Sequence, residues 1–158
     1  MIITFDLYGT LVDWRYTMDS YLKFVKVDPD EFFRCEFNKL KNFRKYSEIL
    51  KDCIRELLKE RYTDEIIEGI DYAFSKSPPF PDTIPGIMRL KKIAKLGIIS
   101  NTERRLIKTT LCGMEEMFDW IITSEDTGYY KPDKRAFIKA YEIMGVNPKE
   151  VVHVSAYP

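Results

Sequence analysis

A single carboxylate, Asp6, follows the apolar run Ile2-Ile3-Thr4-Phe5 and precedes Gly9 and Thr10. A buried strand that ends on an aspartate, with a glycine to turn the backbone and a hydroxyl beside it, holds the group a carboxylate nucleophile needs for covalent catalysis. Three later apolar runs also end on polar groups. Leu96 to Ile99 delivers Ser100 and Asn101, Trp120 to Thr123 leads into the loop carrying Lys131, and Val151 to Val154 delivers Ser155. Taken singly, each has an ordinary reading: Asp6 as a turn cap, Ser-Asn as a helix cap, Lys-Pro-Asp as a surface turn, Ser155 as a strand end. In open α/β sheets, however, ligands sit at the carboxyl ends of the strands. Their shared placement therefore assembles a carboxylate, an ammonium and several hydroxyl and amide groups at one rim.

The elements that must position these groups alternate strand with helix in the later part of the chain, which points to a doubly wound (Rossmann-like) α/β parallel sheet. The first, second and fourth runs are continuously apolar and suit strands covered on both faces. Thr102 is the expected N-cap of the helix after the second strand, which ends at Cys112-Gly113; Arg135 to Met144 closes on Gly145. From about Thr17 to Phe74 the pattern is instead helix after helix. Ile49, Leu50, Cys53, Ile54, Leu57 and Leu58 make a stripe at helical spacing, and Thr63 caps a helix bearing Ile66, Ile67, Ile70 and Phe74. Ser77-Pro78-Pro79-Phe80-Pro81 is a stiff return linker. The expected organisation is an α/β core of residues 1–14 and 79–158 with an inserted all-helical cap of residues 15–78.

Composition narrows the classes. The 158 residues carry 25 Lys+Arg against 25 Asp+Glu, so no charged footprint for nucleic acid or an anionic membrane surface exists. No apolar run approaches the ~20 residues that span a bilayer, and the first strand starts too close to Met1 to leave room for a signal peptide. The three cysteines, Cys35, Cys53 and Cys112, are widely spaced and lie in helical patterns. Free buried thiols in a reducing cytoplasm are expected of them. His153, the only histidine, excludes His-based triads and multi-histidine metal sites. The absence of Gln beside abundant Lys, Glu and Ile is a composition met in thermophilic proteins.

Asp6-Leu7-Tyr8-Gly9-Thr10 resembles the first motif of the haloacid dehalogenase superfamily, and the Asp-x-Tyr-Gly-Thr form resembles its 2-haloacid dehalogenase branch. Ser100-Asn101 resembles the second motif, Lys131-Pro132-Asp133 the third, and Val151 to Ser155 the approach to the fourth. Phe33-Arg34 resembles the cap segment whose arginine enters the active site. The resemblance implies that Asp6 displaces halide from C2 of a short 2-haloalkanoic acid and that Lys131 keeps it ionised. It further implies that Ser100 binds the substrate carboxylate beside the backbone at Leu7 and Tyr8. Asn101 and Arg34 would offer donors to the halide, and Thr10 and Ser155 would orient Asp6 and water. No cofactor is expected.

Two rival readings remain at this level: a magnesium-dependent phosphatase of the same superfamily, and a non-catalytic member. The phosphatases carry a second aspartate where Tyr8 stands. Three departures accompany the resemblance. Phe137 replaces a common tyrosine, Tyr157 a common asparagine, and Pro158 comes before the acidic residue of the fourth motif. The last of these leads to the expectation of an open sheet edge, self-association (a possible homodimer) and weakened catalysis.

Overall fold

The computed structural model describes residues 1–157. Four strands, β1 (Ile2–Phe5), β2 (Lys95–Ser100), β3 (Trp120–Thr123) and β4 (Val151–Val154), form one parallel sheet in the order β3-β2-β1-β4. Ile2 pairs with Lys95 on one side and Val151 on the other, so β1 is central and Asp6 emerges between two neighbours. Thr4 and Phe5 of β1 and Leu96 to Ser100 of β2 are buried, as their continuous apolar character requires. Arranged around the sheet are α5 (Thr83–Leu90), α6 (Arg104–Leu111), the short α7 (Ser124–Thr127) and α8 (Lys134–Met144).

β4 departs from the expectation of full cover. Val152 and Val154 are 55% and 39% exposed, while His153 on the opposite face packs edge-on against Phe137 of α8. An edge strand alternates its side chains between two faces, and among the described residues only the His153 face packs against a helix. Thr102 is a second correction. It is fully buried, its N–H bonds to the Ser100 carbonyl at 3.0 Å, and α6 begins after Glu103 instead.

Between β1 and α5 the chain forms four helices, α1 (Trp14–Phe24), α2 (Pro29–Lys39), α3 (Tyr46–Leu58) and α4 (Asp64–Ser75). Asp13 caps α1, Asp28 caps α2 ahead of Pro29 at its first turn, and Thr63 caps α4. The stripe on α3 is buried, with Ile49, Cys53 and Ile54 inaccessible to solvent, and it packs against Ile67, Ile70 and Phe74 of α4. The outgoing and returning chains are joined to each other. Asp13 N–H bonds to the Pro78 carbonyl at 2.7 Å, Phe80 N–H to the Leu11 carbonyl at 3.1 Å, and the Thr83 hydroxyl to the same carbonyl at 2.7 Å. A buried polar cluster, in which Arg105 of α6 and Ser47 of α3 both donate to Asp71 of α4, fixes the helices to the core. No helix among the described residues is long and apolar enough to cross a membrane.

Cys35 of α2 and Cys53 of α3 form a disulfide, and Cys112 is exposed. Both findings correct the expectation of free buried thiols. The pairing is hidden in the sequence because 18 positions separate the two residues, and they meet only when α2 packs on α3. Closing a loop of that size stabilises a fold by about 3 kcal/mol. Denatured without reductant, the protein should titrate one thiol, Cys112; three thiols under those conditions would show that the bridge is not formed.

Candidate active site

Lys131 reaches from the loop after α7 to place Nζ 2.8 Å from Asp6 Oδ1, and it also donates to the Ile99 carbonyl at 2.6 Å. Both side chains of this pair are nearly buried. Burial lowers the Lys131 pKa from its ordinary value and the Asp6 charge opposes that effect, so the pair holds together only by mutual compensation. Asn101 positions this lysine. Its amide Nδ2 donates to the Lys131 carbonyl at 2.9 Å, and its Oδ1 accepts from the Lys131 N–H at 2.8 Å. With both ends of its amide engaged, Asn101 acts on the backbone of Lys131 more directly than on a departing halide.

The turn after Asp6 is built for close approach. Gly9 has φ +90°, and a Cβ there would lie 2.7 Å from the Tyr157 ring. Leu7 turns its side chain fully into the core, leaving only its backbone near the site. Thr10 accepts a hydrogen bond from the Ala156 N–H at 3.0 Å and so ties the β1 loop to the segment after β4. Tyr8 is buried and shares a 2.7 Å hydrogen bond with the Thr110 hydroxyl; burial raises its pKa. The Ser100 hydroxyl is buried without a partner, and an orphan hydroxyl beside Asp6 is an unused hydrogen-bonding group facing the site.

A cavity of about 530 Å³ opens over this rim. Asp6, Tyr8, Ser100, Asn101, Lys131 and Ser155 line its floor, and Phe137 and Tyr157 line it as well. A depression of about 540 Å³ near β3, lined by Arg104, Trp120 and Ile143, contains none of Asp6, Ser100, Asn101, Lys131 and Ser155. The roof over Asp6 comes from the helical insertion, through Glu36, Phe37, Leu40, Tyr46 and Phe74.

The structure does not bring Arg34 to this cavity. It lies on the exposed side of α2 and is absent from the lining, whereas Glu36 on the other side faces in. Glu36 Oε1 accepts a hydrogen bond from the Tyr46 hydroxyl at 2.9 Å, and burial pushes its pKa up to about 7 despite that bond. His153 also went unnoticed as a site residue. Its Nδ1 meets the Thr4 hydroxyl at 3.0 Å, Nε2 is buried without a partner, and burial plus the nearby Lys131 ammonium lower its pKa to about 4. His153 is therefore a neutral imidazole at pH 7. The signal for Glu36 was the helical spacing of Phe33, Phe37 and Leu40, whose stripe it shares.

An aspartate–lysine pair at the carboxyl rim of a parallel sheet, roofed by helices inserted after the first strand, defines a class of hydrolase. The family model for haloacid dehalogenase-like hydrolases matches residues 1–155, and the chain belongs to that family. It is 29% identical to an (S)-2-haloacid dehalogenase of Pseudomonas putida, over 98% of this chain and 75% of that protein. It is also 33% identical to a glyceraldehyde 3-phosphate phosphatase of Methanopyrus kandleri over 53% of this chain, a match spanning only 37% of the relative's length. The L-2-haloacid dehalogenase of Xanthobacter autotrophicus shares the fold with a TM-score of 0.85 at 18% identity, covering 98% of this chain and 69% of that one.

Proposed function

We propose that this hydrolase is a 2-haloacid dehalogenase in which Asp6 displaces halide from C2 of a 2-haloalkanoic acid. The carboxylate oxygen of Asp6 forms a bond to C2 as the carbon–halogen bond breaks, and the halide leaves with the bonding pair. Water then adds to the Asp6 carbonyl carbon, and the C–O bond to the enzyme carbonyl breaks. This releases a 2-hydroxy acid and one proton and restores the carboxylate. In this scheme Lys131 keeps Asp6 charged, Ser100 and the backbone at Leu7 and Tyr8 take the substrate carboxylate, and Asn101 positions Lys131. Thr10 and Ser155 hold the loops that flank the water, and α1 to α4 cap the rim.

The observation that carries this reading is Tyr8. Two residues after the nucleophile stands a buried phenol already bonded to Thr110, with its pKa raised. It is poorly suited to protonate an alcohol leaving group at neutral pH, but halide needs no proton. The 29% likeness to the Pseudomonas putida enzyme along nearly the whole chain supports the same reading.

The phosphatase-named relatives support a second reading, in which the same nucleophile attacks a phosphate ester with magnesium bound. Magnesium prefers an octahedron of oxygens. Among the described residues, Asp6 is the only carboxylate on the cavity floor and its Oδ1 holds the Lys131 ammonium, a poor fit to that ion.

Two measurements separate the readings. A single turnover of 2-chloropropionate in heavy-oxygen water should label Asp6 and leave the first product unlabelled; label in that product would remove the covalent route. Halide release should also survive a strong chelator unchanged. Phosphate release that vanishes with chelator and returns with magnesium, without halide release, would favour the phosphatase.

A further inference from the structure

We propose that Glu36 and the aromatic rings around it form a cation-reading subsite, and that the substrate carries an organic ammonium at the end remote from the carbon attacked by Asp6. The inference deepens the proposed dehalogenation and takes from it only the placement of the substrate's carboxylate end at the Ser100–Lys131 floor.

Glu36 forms no ion pair among the described residues, and its one hydrogen bond comes from Tyr46. Tyr46 comes from α3, Tyr8 from the β1 loop and Tyr130 from the loop after α7, and all three are neutral phenols near pH 7. On α1, Arg15 is taken up by Asp19 and Asp30. Lys131, the ammonium on the cavity floor, is held by Asp6 and Ile99. The helical roof thus presents to the cavity one carboxyl group with no cation assigned to it.

Its surroundings suit an organic cation and not an anion. Tyr46 packs on Phe74 with ring centroids 4.9 Å apart, and Phe74 packs on Tyr8 at 4.2 Å. These three rings and Phe37 all line the cavity with Glu36. Ring faces attract ammonium groups, and a carboxylate beside them adds a full opposite charge. An anionic group would meet the Glu36 charge with no cation to offset it, only neutral donors such as the Tyr46 hydroxyl and the Trp14 indole N–H. A cavity of about 530 Å³ also leaves room beyond a three-carbon haloacid for a longer chain with a charged end.

The experiment compares binding of ω-amino alkanoates, from four to eight carbons, with unsubstituted alkanoates of equal length by calorimetry. At least one amino acid of the series should bind wild-type protein about tenfold more tightly than its matched alkanoate at pH 8. Glu36 takes up a proton near pH 7. Below that pH it is neutral, so the preference should shrink toward unity at pH 6, while the ammonium stays charged throughout. The matched alkanoate carries any pH effect of Asp6 and Lys131, so the ratio isolates Glu36. In Glu36→Gln the ratio should be near one at both pH values, and the wild-type pH comparison stands even if that variant fails to fold. Equal binding of the matched pairs at pH 8 throughout the series overturns the inference.

Halide release from the corresponding 2-chloro compounds keeps the two claims apart. Halide released without any preference for the ammonium-bearing chain sinks the subsite and leaves dehalogenation standing. A binding preference without halide from any compound sinks dehalogenation and leaves the subsite.

Discussion

Asp6→Asn should reduce turnover by at least about 10⁴-fold, the scale seen when a covalent nucleophile is removed. The substitution is nearly isosteric, so the amide stays at the carboxyl end of β1, where the residue's N–H bonds to the Val154 carbonyl at 2.9 Å. What is lost is the anionic oxygen that attacks carbon in the proposed reaction. Lys131 is left as a buried ammonium with only the Ile99 carbonyl at 2.6 Å to hold it, so the melting temperature should fall while unfolding stays cooperative. Activity within tenfold of wild type, measured as halide release by folded protein, would remove Asp6 from the chemistry. Loss of both activity and cooperative melting would assign Asp6 a structural role, and Asp6→Ala melting curves would then show whether its charge or its shape is required.

Most of the floor of this site was legible in the sequence because its residues are placed by local strand-and-turn chemistry. A continuously apolar strand must end at the sheet rim, and the next polar residue then faces the ligand side. Asp6, Ser100, Asn101 and Ser155 line the cavity for that reason, while Lys131, in the loop after α7, is held there by Asn101. The roof was not legible, because it depends on how α2 is rotated. Arg34 and Glu36 are two positions apart, which is about 200° around a helix, so one faces the cavity only if the other faces away. The packing of Trp14 against Phe33, with ring centroids 4.6 Å apart, and the half-buried Leu40 beside Glu36 at the cavity settle the rotation in favour of Glu36. Arg34→Ala should accordingly keep halide release within about twofold of wild type, a surface substitution by location.

β4 and the cysteines were misjudged for related reasons. The apolar run Val151 to Val154 reads as covered on both faces because both carry apolar residues, whereas the sheet order agrees with the expected open edge and leaves Val152 and Val154 exposed. Likewise His153, alone of its kind in the chain, reads as an ordinary core residue until its face of β4 is known. The disulfide needed the α2–α3 pairing, a tertiary fact with no local signature.

Lys131→Met should lower kcat by roughly 10² to 10⁴-fold while leaving the fold intact. Removing one partner of a buried ion pair costs about 3–5 kcal/mol because the remaining charge is left uncompensated; spent on the reacting carboxylate, that corresponds to the stated rate loss. Methionine keeps most of the stem volume, and Asn101 can still clamp the backbone of residue 131. A pH profile separates this role from a purely structural one. Lys131 has a lowered pKa because burial outweighs the Asp6 attraction. The wild-type rate should therefore be full where Lys131 is charged and fall as the pH rises through that lowered pKa, before the ordinary lysine range is reached. His153, whose pKa is lowered to about 4, is already neutral and adds nothing to that alkaline limb. In Lys131→Met the limb should disappear along with most of the rate. A variant with wild-type kcat, or one that loses rate but keeps the same alkaline limb, would show that a different group governs the charge of Asp6.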